Sequence, residues 1–147
     1  MKSLVIVEHD NKSIKPSTFS TITASSELGE ETYAIIVGHK IEAALEELKK
    51  SNILKKIFYF DNEDFKSPIA EKIQEFVLSF LNGKDFTHIL SPSTTFGKNI
   101  SPKIATELDV QQISDIIKII DENTFERPIY AGNAIAKVRS NDEVKVI

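Results

Sequence analysis

The sequence predicts an α/β domain with a three-layer α/β/α architecture, its sheet mainly parallel and finishing in antiparallel hairpin strands at the C-terminal end. Three observations carry this expectation. Short apolar, β-branched runs alternate with helical patterns at a spacing of roughly 25 to 30 residues, which is that of successive βα units. The runs are near-continuously apolar rather than alternating, as strands covered on both faces must be. After Asp109 the helical pattern stops, and clusters such as Asp121-Glu122-Asn123 and Ser140-Asn141-Asp142 supply the turn chemistry of hairpins.

Taken in order, the first strand is expected at residues 3–7. The connection after it is a weak helix former, rich in serine and threonine between Pro16 and Ser26, so packing by Phe19, Ile22 and Leu28 must define it. A second strand at 32–37 leads to a helix in which Ile41, Ala44, Leu45 and Leu48 recur at i, i+3, i+4 and i+7 and mark one buried face. Glu46 and Lys50 form a pair four apart on its exposed side. A third strand at 56–60 precedes a longer helix, announced by Ser67 as N-cap and Pro68 in the first turn. Its stripe is Ile69, Ile73, Phe76, Val77, Phe80 and Leu81, and Asn82-Gly83 ends it. A fourth strand at 87–90 runs into the loop Ser91-Pro92-Ser93-Thr94-Thr95, whose hydroxyls suit a helix cap. Pro102 either kinks the following helix or makes Ser101 a second cap. The remainder reads as strands at 112–120, 124–130, 134–138 and 144–147, with Gly132-Asn133 turning the middle pair. The order is Rossmann-like, extended by hairpins.

At 147 residues the chain fits one domain, able to bury roughly two thirds of its unfolded surface without a staple. The absence of cysteine excludes a disulfide scaffold, a thiolate nucleophile and a cysteine-ligated zinc or iron-sulfur cluster. A formal net charge of −4, with lysines interspersed among glutamates, argues against sequence-independent nucleic-acid binding. No apolar run approaches the length of about 20 residues that a membrane crossing needs, so no insertion is expected. Residues 4–7 are too short for a secretory signal and no Arg/Ser-rich leader precedes them, which points to an intracellular setting.

The motifs exclude more than they assign. Gly97-Lys98 between strand and helix invites a phosphate loop, but in the G-x-x-x-x-G-K-[ST] register the first glycine falls at Pro92 and the last hydroxyl at Asn99. No two glycines are close enough for a dinucleotide fingerprint. His9, His39 and His88 lack metal-ligand spacing, and Asp61, Glu63 and Asp64 read as a solvated acidic loop rather than a magnesium site. There is no nucleophile elbow. Arg127 and Tyr130 flank Pro128 in a predicted strand, where proline requires an edge, a start or a bulge. Either this is a plain edge hairpin, or Arg127 and Tyr130 are partner contacts, being residue types enriched where surfaces meet.

Several blocks together carry a family resemblance: Ser3-Leu4-Val5-Ile6-Val7-Glu8-His9-Asp10-Asn11, Thr87-His88-Ile89-Leu90, Phe96-Gly97-Lys98-Asn99, Gln112-Ile113-Ser114-Asp115-Ile116 and Arg127-Pro128-Ile129-Tyr130-Ala131-Gly132-Asn133. The chain resembles, over nearly its whole length, the N-terminal domain of the electron transfer flavoprotein alpha subunit; Ser93 and Thr95 stand where the family often has alanine. The resemblance implies a single domain over 1–147 that scaffolds a heterodimer with a beta subunit, with FAD carried by a C-terminal domain absent from this chain and no cofactor bound here. It further implies electrons passing from acyl-CoA or other flavin dehydrogenases to a quinone oxidoreductase or another acceptor, with no catalytic site in this chain. The expected setting is the bacterial cytoplasm, or the mitochondrial matrix after loss of a transit peptide. Candidate subunit or domain contacts are Phe96, Gly97, Lys98 and Asn99 in the fourth-strand loop and Arg127, Pro128, Tyr130 and Asn133 on the hairpin. A free-standing nucleotide-binding α/β domain is the second reading, resting on fold class and on the loop's place at a strand end.

Overall fold

The computed structural model of the chain describes residues 1–67 and 69–147. The chain alternates β1 (Lys2–Ile6), α1 (Pro16–Ser26), β2 (Glu31–Gly38), α2 (Glu42–Leu48), β3 (Lys56–Asp61), α3 (Ala70–Leu81), β4 (His88–Leu90) and α4 (Thr95–Glu107). It then runs through β5 (Lys118–Asp121), β6 (Thr124–Ile129), β7 (Ala134–Arg139) and β8 (Lys145–Val146). A five-stranded parallel sheet has the order β3-β2-β1-β4-β8, and β5-β6-β7 form a small antiparallel sheet. The α/β architecture is the one the sequence predicts. Because β1 is flanked by β2 on one side and β4 on the other, the winding reverses between β1 and β4, and their carboxyl ends open the crevice where such sheets hold ligands.

Alternation along the buried strands divides the core in two. Leu4, Ile6, Tyr33, Ile35, Val37 and Ile89 point to one face, where Ile73, Val77 and Leu81 of α3 and Ile100 and Ile104 of α4 cover them. Val5, Val7, Ala34, Ile36 and Leu90 point to the other, against Ile22 of α1 and Ala44 and Leu48 of α2. On the edge strand β3 the first face is aromatic: Phe58 meets Phe80 at 4.7 Å and Phe60 stacks on Phe76 at 4.4 Å. As its composition requires, α1 leans on packing. It has no side-chain N-cap, Ile22 and Leu28 are buried with Phe19 packed alongside, and Ser25 donates across to Thr32 Oγ1 at 3.2 Å.

Several local expectations change. The N-cap of α3 is Ile69, extended and without a side-chain cap bond, in place of Ser67; Pro68 lies outside the described residues. Ile69 is exposed and so stands outside the buried stripe. Glu46 pairs with Lys49, one helical step nearer than Lys50. Thr94 caps α4, accepting from the Gly97 N–H at 3.4 Å, and the helix continues through Pro102. Ser101 is no cap; it is buried, with its hydroxyl 2.5 Å from that of Ser91. The strand expected at 112–120 shrinks to β5, because Asp115 at φ 58 breaks the extended run and leaves Gln112 a single bridge to Val146. The C-terminal strand returns to the main sheet parallel to β4, and the Ile113 N–H covers its outer side at 2.8 Å from the Val146 carbonyl. β6 stops at Ile129, and the turn beyond it spans four residues rather than Gly132-Asn133 alone.

The small sheet is fastened to the main one by Phe125, fully buried among Leu90, Ile113 and Ile147, and by His88. His88 Nε2 lies 2.7 Å from the Glu122 carbonyl and Nδ1 2.9 Å from the Thr87 hydroxyl. A carbonyl only accepts, so Nε2 carries a proton. His9 is held the same way, donating from Nε2 to the Val37 carbonyl at 2.9 Å and accepting at Nδ1 from the Asn11 N–H at 2.9 Å. Burial is the main cause pushing both rings below the ordinary histidine value. The unfolded chain therefore binds these protons more readily than the folded one. The two histidines contribute in full above about pH 6.5 and their contribution is lost as pH falls below it, at a slope of at most about 1.4 kcal/mol per pH unit for each. The melting temperature is expected to fall between pH 7.5 and 5.5, with a smaller fall in His88→Gln. A flat profile for the wild type would contradict this assignment.

Candidate functional site

Two features collect the candidate residues: a cleft at the carboxyl end of β4, and the outer hairpin of the small sheet. The loop after β4 lies directly on the first turn of α4. A Cβ on Gly97 would sit 1.8 Å from the Pro92 carbonyl oxygen and 2.8 Å from Ser91 Oγ, so glycine alone permits this approach. Phe96 packs half-buried against the core, and Asn99 is exposed. Lys98 Nζ lies 3.0 Å from Asp115 Oδ1, and the Ser93 hydroxyl donates to the same carboxylate. Ser93 first, then Lys98, hold the Asp115 carboxyl below its ordinary range, with Arg127 adding at longer reach. The space enclosed is about 170 Å³ and is lined with small polar residues including Ser20, Thr21, Ser91 and Ser114.

At the switch point itself stands Glu8. Its Oε2 accepts from the Thr94 hydroxyl at 2.8 Å and from Ser17 Oγ at 3.4 Å, joining the cap of α4 to the first turn of α1. Its backbone is fixed as well, its N–H donating to Thr18 Oγ1 at 3.0 Å and its carbonyl accepting the Lys15 N–H at 3.0 Å. A carboxylate thus occupies the crevice between β1 and β4. Two strands further along, at the end of β3, Asp61 ties down the chain leading into α2, accepting the Lys40 and Ile41 N–H groups at 2.9 and 3.0 Å. Those bonds, Ile41 foremost, keep its carboxyl below the ordinary value against the opposing effect of burial. Among the described residues no three His, Asp or Glu side chains gather as a metal site would require.

On the hairpin, backbone direction explains the proline. The Glu126 carbonyl accepts from the Ile117 N–H on the β5 side, and the Asn123 carbonyl accepts from the Ser140 N–H on the β7 side. Backbone polar groups alternate along an antiparallel strand, so Pro128 faces the β5 side, beyond Lys118, where β5 no longer reaches. No ladder bond is lost. The tip is a turn closed by the Asn133 N–H on the Tyr130 carbonyl at 3.1 Å, with Tyr130, Ala131 and Gly132 at φ 51, 53 and 90. Tyr130 is 78% exposed at this tip and Asn133 is exposed beside it. Arg127 is half-buried, and its Nε has no hydrogen-bond partner among the described residues. The structure therefore separates the eight candidates: Gly97 and Lys98 line the cleft, Phe96 packs on the core, Asn99 is exposed, and Arg127, Pro128, Tyr130 and Asn133 belong to the hairpin.

The model of the electron transfer flavoprotein domain family matches residues 3–147. The chain belongs to the electron transfer flavoprotein family. It is 38% identical over its full length to an electron transfer flavoprotein subunit alpha of Pseudomonas aeruginosa, covering 47% of that protein. It is 41% identical to a mitochondrial electron transfer flavoprotein subunit alpha of Dictyostelium discoideum over 97% of the chain and 42% of the relative. A probable mitochondrial alpha subunit of Caenorhabditis elegans is 33% identical over 99% of the chain and 44% of the relative. The chain thus spans a little under half the length of these curated relatives. Among the described residues no helix is long and apolar enough to cross a membrane. In this electron transfer flavoprotein chain, sequence reading missed the contacts of three acidic residues: Glu8, Asp115 and Asp61. An acidic residue after a strand carries no signal of which helix terminus or hydroxyl it will meet, since its partners lie 86, 22 and 21 positions away.

Proposed function

We propose that residues 1–147 form the N-terminal, non-flavin domain of an electron transfer flavoprotein alpha subunit, a scaffold that assembles with a beta subunit and with a C-terminal flavin domain. In this reading the assembled heterodimer carries electrons from flavin dehydrogenases to a quinone oxidoreductase or another acceptor, and this domain positions the carrier without a catalytic site of its own. The match to alpha subunits along the whole chain supports it. The observation that carries it is Glu8: in the crevice where open α/β sheets hold nucleotides, a carboxylate is already seated on the cap of α4. FAD does not fit what lines that end of the sheet. A cleft of about 170 Å³ falls short of the roughly 300–1,000 Å³ usual for ligands of drug size, and Glu8 and Asp115 oppose a pyrophosphate. The second reading, a nucleotide-binding domain, retains the cleft's position at a strand end and the nearby Lys98.

The two readings part in one preparation. The purified chain is expected to be colourless, and calorimetry with AMP and ATP to give no saturable heat in either the wild type or Lys98→Ala, since that ammonium is committed to Asp115. A stoichiometric flavin band surviving gel filtration, or nucleotide binding that Lys98→Ala abolishes, would replace the scaffold reading with the second.

A further inference from the structure

β3 is an open edge of the main sheet, paired with β2 on one side and with no strand on the other. The Asn62 N–H donates to the Gly38 carbonyl at 3.0 Å, so the even residues of β3 aim their backbone groups at β2, and by alternation Ile57 and Tyr59 aim theirs outward. Among the described residues nothing bonds to those outward groups. Exposed edges are ordinarily blunted by a lysine, a proline or a bulge. Here the middle of the strand is Ile57-Phe58-Tyr59-Phe60, with Tyr59 64% exposed, and a groove of about 290 Å³ opens beside it, lined by Phe58, Phe76 and Phe80. The charges lie at the ends. Lys56 Nζ stands over Phe58 at 4.9 Å on the α3 face, and Glu63 and Asp64 follow the strand in the turn whose Phe65 packs on Phe60 and Phe76 of that same face. None of these three charges is in an ion pair among the described residues.

We infer that a second copy of this chain pairs with β3, antiparallel about a two-fold axis at Tyr59, joining the two five-stranded sheets into one. The charge order argues for this occupant: the strand runs from basic to acidic, so a copy laid antiparallel meets opposite charge at both ends, Lys56 of each beside Glu63 and Asp64 of the other. The axis keeps both α3 helices on one face, so those charges and the aromatic rings between them meet on the same side of the joined sheet. An isologous pairing uses up both β3 edges and closes at two copies. The small sheet is fastened at the β4–β8 side, the far edge from β3, so this pairing leaves the hairpin free and does not depend on assembly with a beta subunit.

Sedimentation of the 147-residue chain over a concentration series is expected to show a monomer–dimer equilibrium with no larger species. Tyr59→Lys, which sets a charge in the uncharged centre of the edge, is expected to raise the dissociation constant about tenfold or more, with the melting temperature unchanged where both proteins are monomeric. Lys56→Glu is expected to weaken the dimer about threefold to tenfold, because two symmetric contacts change sign, and adding Asp64→Lys to the same chain to restore it, a rescue that a folding defect would not show. A monomer at every concentration, open-ended aggregates in place of a dimer, or a dimer indifferent to Tyr59→Lys and to the charge reversal would overturn the inference. So would a beta subunit that disperses the dimer and loses its own affinity on Tyr59→Lys, since the edge would then belong to that partner.

Discussion

Gly97→Ala is expected to lower the stability of the domain by more than about 2 kcal/mol, a fall of roughly 6 °C or more in melting temperature. Two effects of opposite sign meet at this position. Gly97 lies inside α4, where alanine is the better helix former by about 1 kcal/mol, so propensity favours the substitution. Sterics oppose it: the new methyl would lie 1.8 Å from the Pro92 carbonyl oxygen, a backbone atom that cannot swing aside as a side-chain end would. That distance is far inside contact, and relief requires the loop and the helix to separate. Separation would strand the buried Ser91–Ser101 hydroxyl pair and pull Ser93 from Asp115. The steric effect therefore wins by a margin larger than the propensity gain. Thermal unfolding of the two proteins checks it, and an unchanged or higher melting temperature for Gly97→Ala would show that the loop does not lie where the structure puts it.

The same glycine shows what a sequence reveals and what it conceals. Gly97-Lys98 after a strand was legible as a place of special backbone, with a Walker register broken at Pro92 and Asn99. The reason for the glycine, a carbonyl five residues back in the loop folded onto the helix, is a tertiary fact with no local signature. The βα units were readable because strands covered on both faces must be apolar through their buried length, a constraint that shows at residues 4–6, 33–37 and 89–90. The region after residue 109 was less so. Val144 to Ile147 has the same apolar character whether it pairs with β7 in a hairpin or returns beside β4, and the deciding partners, His88 and Ile89, lie more than fifty residues earlier. Likewise, residues 112–117 are β-branched enough for a strand, yet Asp115 enters the left-handed region, which aspartate tolerates better than most, and so ends it. At the site, Arg127 and Tyr130 stood out by residue type beside Pro128, whereas Glu8 and Asp115 depend on hydroxyl and ammonium partners from other elements.

Tyr130→Ala is expected to weaken association with a beta subunit about tenfold or more, because truncating a tyrosine at a desolvated contact commonly costs about 2 kcal/mol. The isolated domain gives little reason to keep this residue. Tyr130 and Ala131 both hold left-handed backbone, which costs on the order of 1 kcal/mol for a residue with a side chain, and the ring is 78% exposed. In the scaffold account, a tip strained and bare in the free domain is kept for the partner that would cover it. Stability should hardly register the change, since an exposed substitution usually moves it by about 0.5 kcal/mol or less. The measurement that tests the scaffold account most directly is therefore paired: the calorimetric affinity of the chain and of Tyr130→Ala for the beta subunit, beside the melting temperature of each chain alone. The account predicts an affinity lower by about tenfold or more with a melting temperature within about 2 °C of wild type; unchanged affinity with a large drop in melting temperature would make the hairpin tip a support of the fold and contradict its role in assembly.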